Sequence, residues 1–193
     1  MEVNVQRING NWDLGYSLDK HVLSSTYIGD NQWGHPEFDT TRSEIGEALF
    51  QLKYRSDFNQ VTSIANQLST SLSKYFSSAS LVIPMPPSKQ RARQPVIEIA
   101  RVVAKNMGIP CNENLLQKTQ DTPQMKDIQD REDKVKTLVR AFSINDTLNE
   151  GKHDILIIDD LFDTGSSLEA ATHVLRNYKN IGKIYVTTAT RKN

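Results

Sequence analysis

The sequence predicts an α/β domain in which helices flank a mostly parallel central sheet. From residue 80 onward, short apolar runs alternate with segments whose apolar residues recur at helical spacing, and such alternation is typical of βαβ units. The clearest unit is 155–178, where an apolar strand, a short polar loop and an amphipathic helix follow one another. At 193 residues with 37% apolar side chains, the chain is long enough for roughly one domain with a substantial core.

The first 40 residues differ from the rest, because they contain both tryptophans and several glycines. We expect an N-terminal extension or hood over 1–40, with short strands near 12–21 and 22–28, and a core domain over 41–193. The aromatic side chains of the extension need somewhere to bury, which favours an ordered segment. These residues are Trp12, Tyr16, Tyr27, Trp33 and Phe38.

Two helices are expected before the first core strand. The segment 41–44 (Thr-Arg-Ser-Glu) has capping-box spacing, with Thr41 as the N-cap, and predicts a helix to about Lys53. Asp57 is a second N-cap candidate. The apolar residues that follow it recur at helical spacing and predict a helix to about Phe76.

The second half supplies the strands of the sheet. Residues 80–83 form an apolar run that predicts a buried strand. Pro95 suits the first position of a helix that Gly108 ends. Residues 117–136 are polar and weakly periodic, which is typical of a functional lid or of an ordinary surface loop. Further short strands are expected at 115–116, 138–144 and 183–189.

Charge and cysteine content narrow the classes of partner. Lys plus Arg and Asp plus Glu are both 23, so the net charge gives no support for nucleic acid as a partner. The single cysteine excludes an internal disulfide and a Cys-rich zinc site, and it fits a reducing cytoplasm. The sequence contains no apolar run near the ~20 residues of a membrane span and no apolar signal core at its N-terminus. We therefore expect a cytoplasmic protein without a membrane partner.

Charge is nevertheless segregated along the chain. Residues 88–105 carry five basic groups and one acid, whereas residues 150–169 carry six acids and one lysine. This pattern suggests a ligand with both anionic and metal-binding parts, or two solvated faces. The four histidines show no metal-ligand spacing, and we interpret them as surface or packing residues.

The stretch 155–167 carries the most chemical information, and it reads Ile-Leu-Ile-Ile-Asp-Asp-Leu-Phe-Asp-Thr-Gly-Ser-Ser. A buried strand ends in Asp159 and Asp160, and ligands of open parallel sheets bind outside the carboxyl ends of the strands. The loop 163–167 then opens a helix, where Gly165 allows close backbone approach and free amides favour a phosphate. The sequence thus predicts a phosphate cradle beside two acids that accept from sugar hydroxyls or hold hydrated Mg²⁺.

Each feature also has a plain structural interpretation. The acids can simply end a strand, with Ser166 or Ser167 as an ordinary helix N-cap. We favour the ligand interpretation because all the features fall on one strand, loop and helix. The basic stretch 86–93 can be a solvated helix start, but cations there oppose the helix dipole, which favours anion binding.

The stretch 155–167 closely resembles the phosphoribosyl-pyrophosphate (PRPP) signature of type I phosphoribosyltransferases, and all thirteen positions fit. The resemblance implies the type I phosphoribosyltransferase fold. It also implies a pentosyltransferase that depends on PRPP and Mg²⁺ and releases pyrophosphate. It implies that Asp159 and Asp160 face the ribose hydroxyls and the metal. Asp163 is similar to the general base of the purine-salvage branch, which favours a nitrogenous, purine-like acceptor. The implied ligands of the 5-phosphate are Asp163, Thr164, Gly165, Ser166 and Ser167.

The resemblance also assigns two further segments. The loop after the first core strand would hold pyrophosphate through Ser88, Lys89 and Arg91. Residues 117–136 would close over PRPP and keep water from the reacting carbon. The candidates in this flexible loop are Lys118, Lys126 and Arg131.

Segments upstream are similar to the ComF subgroup, whose members are linked to DNA uptake. The chain lacks the cysteine zinc module of that subgroup, and Arg91-Ala92-Arg93-Gln94-Pro95 replaces its Arg-Gly-aromatic-Asn-Gln stretch. Homodimers are common in the resembling family. Two functions stay open beside the enzyme: a non-catalytic PRPP- or nucleotide-binding regulator, and a ComF-like accessory protein in DNA uptake or processing. The similar segments are 52–54, 81–88, 121–126 and 137–142.

Overall fold

A computed structural model of the chain describes residues 1–119 and 128–192. None of the helices within those ranges combines the length and apolar character needed to cross a membrane. A short 3₁₀ turn, Ser73–Phe76, follows the second helix. The elements of the described chain are β1 (Gln6–Arg7), β2 (Leu14–Lys20), β3 (Val22–Asp30), β4 (Pro36–Arg42), α1 (Glu44–Tyr54), α2 (Gln60–Leu72), β5 (Leu81–Pro84), α3 (Pro95–Met107), β6 (Leu116–Lys118), α4 (Arg131–Ala141), β7 (Phe142–Ile144), β8 (His153–Phe162), α5 (Ser166–Arg176) and β9 (Ile181–Arg191).

The central sheet has five strands in the order β1-β2-β9-β8-β5. The pairings β2 with β9, β9 with β8 and β8 with β5 are parallel, and β1 is antiparallel at the edge. β8 lies inside the sheet, and its apolar residues 155–158 are fully buried. The predicted α/β fold with a mostly parallel sheet flanked by helices is confirmed.

The sheet separates two hydrophobic cores, because side chains of a strand alternate between its faces. Leu156 and Ile158 of β8 pack on one face with α1, α2 and α3. Ile155 and Ile157 pack on the other face with α5 and the end of α4. Helices on both faces explain why β5 and β8 are continuous apolar runs rather than alternating ones.

The first helix begins two residues later than the capping-box prediction placed it. Thr41 belongs to β4, where it pairs with Ser24. Ser43 is the N-cap: its Oγ accepts from the Gly46 backbone N–H at 3.0 Å and donates to the Lys20 carbonyl. Strand pairing therefore decided between two hydroxyl residues that stand two positions apart.

One further boundary was predicted wrongly. The strand expected at 138–144 is a strand only from Phe142, because residues 131–141 form α4. Asp130 caps this helix, its Oδ1 accepting from the Asp133 backbone N–H at 3.0 Å. The lid segment is therefore helical over its last residues.

Part of the N-terminal extension is exposed instead of buried. β3 and β4 form a separate two-stranded antiparallel sheet, so the aromatic side chains on it have little of the core to pack against. Tyr27 is 55% exposed, Trp33 72% and Phe38 54%. Trp12 is buried as expected, since β2 belongs to the central sheet. The division of the chain at residue 40 stays a prediction.

Candidate functional site

The candidate site lies where β5 ends beside β8. Their parallel register runs to the pair Pro84 and Ile158, and Met85 N–H donates to the Ile158 carbonyl at 2.8 Å. β5 stops there, whereas β8 continues to Phe162. The two acids therefore lie on the protruding part of an otherwise buried strand, at the carboxyl edge of the sheet. The sequence predicted a strand that ends at Ile158, just before the two acids, whereas β8 includes both of them.

Asp159 and Asp160 form a coupled pair of carboxyl groups. The Asp160 backbone N–H donates to Asp159 Oδ1 at 2.8 Å. Burial, and after it the neighbouring Asp160 carboxylate, raises the pKa of Asp159 to about 8. A carboxyl group held neutral near pH 7 can both donate and accept a hydrogen bond. The pair can therefore satisfy the hydroxyls of a sugar in more than one orientation.

Lys53, in the last turn of α1, completes this charge cluster. Asp160 continues the face of Leu156 and Ile158, which packs on α1. Its Oδ2 lies 2.5 Å from Lys53 Nζ, and the two side chains are 15% and 25% exposed. A pair this sheltered is screened much less than a surface ion pair.

A cavity of about 280 Å³ opens beside the acids. Its lining combines apolar side chains, among them Leu138 and Phe142, with charged ones. The charged side chains that line it are Lys53, Lys89, Arg91, Lys118, Asp159 and Asp160. Cations in excess over acids make the cavity complementary to a polyanion that also carries hydroxyl groups.

The predicted pyrophosphate ligands Ser88, Lys89 and Arg91 all line this cavity, and all three are exposed. Arg91 Nη1 donates to the Lys53 carbonyl at 3.2 Å. This bond ties the loop after β5 to the end of α1. Helix α3 follows this loop, and Pro95 occupies its first position, as the sequence predicted.

The turn 163–165, which the sequence predicts to bind a phosphate, connects β8 to α5. Gly165 has φ 79° and ψ −1°, in the left-handed region. A Cβ there would lie 2.8 Å from Phe162 Cε2, so only glycine fits without displacing the ring. Thr164 Oγ1 and Ser166 Oγ are hydrogen bonded at 2.9 Å.

The N-terminus of α5 is available to an anion. Its N-cap residue, Gly165, has no side chain to cap it, although Thr164 Oγ1 accepts from the Ser166 backbone N–H at 3.4 Å, and the helix runs for 11 residues. The other N–H groups of the first turn and the helix dipole favour a phosphate. Ser167 lines the cavity, so the first turn of α5 borders it.

Asp163 is exposed and paired with the last described residue. Its Oδ2 lies 3.0 Å from Lys192 Nζ. The Lys192 backbone N–H also donates to the Phe162 carbonyl at 2.9 Å, which holds the two residues side by side. The sequence did not single out Lys192.

The three flexible-loop candidates have different positions. Arg131 contacts the phosphate turn: its Nε donates to the Thr164 carbonyl at 3.1 Å and its Nη2 to Glu169 Oε1 at 2.7 Å. Lys118 lines the cavity from β6. Lys126 lies outside the described residues.

The sequence indicated no role for His21, and its side chain does not line the cavity. Burial lowers its pKa, with smaller contributions from the Arg42 and Lys53 cations. Its Nδ1 is buried without a partner among the described residues. An isolated histidine belongs to no sequence pattern that indicates a functional role. Lys53, in contrast, belongs to the ComF-like segment 52–54, and this resemblance could have indicated it.

The donor set suits Mg²⁺ shared with a substrate. The described ranges contain no group of three or more His, Cys, Asp or Glu side chains that could hold a metal ion. Asp159 and Asp160 supply two hard oxygen ligands beside the cation-lined cavity. Mg²⁺ is usually held by one or two carboxylates together with substrate phosphates and waters, so these two residues fit it.

No protein-family model matches the chain, and no curated protein matches it by sequence. Several solved structures are similar to it. Adenine phosphoribosyltransferase from Saccharomyces cerevisiae is 10% identical, with a TM-score of 0.49 over 88% of this chain and 85% of that chain. Orotate phosphoribosyltransferase from Aeropyrum pernix is 15% identical, with a TM-score of 0.39 over 86% and 74%.

UMP synthase from Leishmania donovani is 14% identical, with a TM-score of 0.40 over 84% of this chain. This chain spans only 28% of the length of that protein. The structural neighbours are thus phosphoribosyltransferases of low sequence identity, and a ComF protein is not among those named here. Function is therefore inferred from the geometry of the site itself.

Proposed function

We propose that this protein binds PRPP with Mg²⁺ and transfers its phosphoribosyl group to a nitrogenous base, releasing pyrophosphate. The observation that carries the proposal is the cavity at the carboxyl edge of β5 and β8, where Asp159 and Asp160 face the cations Lys89 and Arg91. PRPP carries sugar hydroxyls between two anionic ends. Acids beside cations, next to a helix N-terminus, match that distribution.

The acids would orient the ribose ring. Asp159 and Asp160 accept hydrogen bonds from its hydroxyls, and the turn 163–167 receives the 5-phosphate at the start of α5. Anchoring both the ring and its phosphate fixes the position of the reacting carbon. Such positioning can account for a large part of a transfer reaction's barrier.

The basic loop would stabilise the leaving group. Ser88, Lys89 and Arg91 surround the place where pyrophosphate separates, and Arg91 can hold two phosphate oxygens at once. Asp159 and Asp160 would hold Mg²⁺, which would further neutralise the departing charge. The residues 117–136 would then exclude water from the oxocarbenium-like centre.

Asp163 would take the proton of the attacking nitrogen. An aspartate at this position resembles the purine-salvage branch of the family, which favours a purine-like acceptor. Its Oδ2 already accepts from Lys192 Nζ. This ion pair must open, or the lysine must move with the acid, before Asp163 acts as a base.

The same ion pair favours a second candidate, a PRPP- or nucleotide-binding regulator without turnover. A protein of this kind needs the acids and the phosphate turn but no free base. A pyrophosphate-release assay with PRPP, Mg²⁺ and a panel of bases separates the two. Release that depends on one base supports the enzyme, whereas saturable PRPP binding without release supports the regulator.

The decisive test of the site is the double substitution Asp159→Asn and Asp160→Asn. We expect it to abolish PRPP binding in isothermal titration calorimetry, because the two amides lack the negative charge that Asp160 presents to Lys53 and supply one acceptor oxygen each instead of two. The matched control is Glu37→Gln with Asp39→Asn, which removes two exposed carboxylates from β4. Unchanged PRPP affinity in a folded double variant refutes the proposed site.

Three finer expectations remain predictions. A homodimer can be tested by analytical ultracentrifugation, and a cytoplasmic location by fractionation of the host cell. A ComF-like role in DNA uptake predicts salt-sensitive DNA affinity, which the balanced overall charge does not favour.

A further inference from the structure

We propose that Lys53 is a pyrophosphate-binding residue contributed by α1, and that ligand binding releases it from its ion pair with Asp160. The inference rests on the proposed function and extends it to an element outside the loop after β5. Lys53 reaches the site from the last turn of α1.

The geometry gives Lys53 access to both partners. Its Nζ lies 2.5 Å from Asp160 Oδ2, and its side chain also lines the cavity together with Lys89 and Arg91. The lysine stem is flexible and carries three rotatable donors. A small change of rotamer therefore moves the ammonium from the carboxylate towards a ligand in the cavity.

The two binding events are linked. While Nζ contacts Oδ2, it competes with a ribose hydroxyl for the lone pairs of that oxygen. When a hydroxyl replaces Nζ as the donor, the half-buried ammonium needs a new anionic partner, because an unpaired sheltered charge is costly. A phosphate oxygen in the same cavity supplies that partner, so charge stays balanced throughout the exchange.

The position of Lys53 favours pyrophosphate over the 5-phosphate. Lys53 and Asp160 lie on the face of β8 that packs on α1, whereas α5 packs on the opposite face. Arg91 Nη1 donates to the Lys53 carbonyl, which places the end of α1 against the basic loop. Thr164 and Gly165 of the phosphate turn do not line the cavity.

The test compares three probes, PRPP, pyrophosphate with Mg²⁺ and ribose 5-phosphate, in isothermal titration calorimetry. Lys53→Met keeps most of the stem and removes the charge. We expect it to weaken PRPP and pyrophosphate binding about ten- to a hundredfold, as for the loss of one charge-assisted hydrogen bond, and to spare ribose 5-phosphate. The control Lys105→Met, an exposed lysine in the last turn of α3, should leave all three affinities unchanged.

A second variant distinguishes a ligand from a mere counter-ion. This comparison uses pyrophosphate without Mg²⁺, because Asp160 belongs to the proposed Mg²⁺ site. If Lys53 only neutralises Asp160, then Lys53→Met with Asp160→Asn removes both charges and restores the wild-type affinity for pyrophosphate. If Lys53 binds pyrophosphate, this pair of substitutions stays as weak as Lys53→Met. The paired variant also leaves no unpaired charge, which keeps the comparison available where Lys53→Met folds poorly.

The outcomes separate this inference from the proposed function. Wild-type protein that binds neither PRPP nor pyrophosphate overturns both. Wild-type protein that binds them, with equal affinity in Lys53→Met or restored affinity in the paired variant, overturns only the role of Lys53.

Discussion

Replacing Gly165 by alanine tests the conformation of the phosphate turn. Its φ of 79° costs an alanine about 1–2 kcal/mol. The added Cβ would also lie 2.8 Å from Phe162 Cε2 and 3.3 Å from Cζ, and displacing a packed ring costs about 1–3 kcal/mol more. We therefore expect Gly165→Ala to lower the free energy of unfolding by about 2–5 kcal/mol.

Gly108→Ala is the matched control. Gly108 has φ 69°, and no described atom lies within 4 Å of its added Cβ, so only the backbone cost of about 1–2 kcal/mol applies. For a chain of this length, each kcal/mol lowers Tm by about 2–4 °C. Thermal unfolding followed by circular dichroism should show a drop for Gly165→Ala about twice that of Gly108→Ala or more.

Binding provides the second readout of the same pair. We expect Gly165→Ala to weaken PRPP binding at least about tenfold, because the Cβ or the displaced ring occupies the approach to the α5 amides. Gly108→Ala, at the far end of α3, should bind PRPP as wild type does. Equal losses of stability in the two variants, with PRPP affinity retained in Gly165→Ala, would refute the reasoning.

Three other predictions concern the pair of acids, α4 and the tryptophans. Asp159 keeps its proton to about pH 8 in the folded state but ionises near pH 4 in the unfolded state. The folded state therefore binds more protons between these two pH values, and the free energy of unfolding falls as pH rises through the interval. Urea unfolding measured across the interval should show a shallower fall for Asp159→Asn. Arg131→Gln removes the bonds to Thr164 and Glu169, and hydrogen exchange should then be faster in α4 and unchanged in α3. Trp33, 72% exposed, should tolerate Ser with a change within about 0.5 kcal/mol, whereas Trp12→Ala should cost about 3–5 kcal/mol, as denaturant titration can measure.

Most of the fold could be predicted because its signals are local. The apolar runs at 80–83 and 155–158, Pro95 and Gly108 each placed an element within a few residues of its observed position. The helix 131–141 was missed because it is mostly polar, and only Leu138 and Ala141 are buried in it. The spacing of apolar residues and the composition give little indication of a helix that buries so narrow a face.

Exposure of the N-terminal aromatic residues was predicted wrongly for a different reason. An aromatic side chain such as Trp33 or Phe38 indicates a need for burial, yet the sequence does not state whether its strands join the main sheet. β2 joins it through β9, whereas β3 and β4 pair only with each other. Strand pairing over a long sequence separation decided this difference.

The candidate site shows the same difference between local signals and contacts over a long sequence separation. One contiguous segment, 155–167, encodes the paired acids, the glycine of the turn and the helix start, because a strand, a turn and a helix terminus are specified by neighbouring residues. The partners of this segment come from elsewhere: Lys53 from α1 pairs with Asp160, Lys192 from beyond β9 pairs with Asp163, and Arg131 from α4 donates to the Thr164 carbonyl. The sequence alone determined which groups could bind a sugar phosphate, and only packing of the helices on the two faces of the sheet decided which charges meet them, since burial acts between residues that are far apart in the chain.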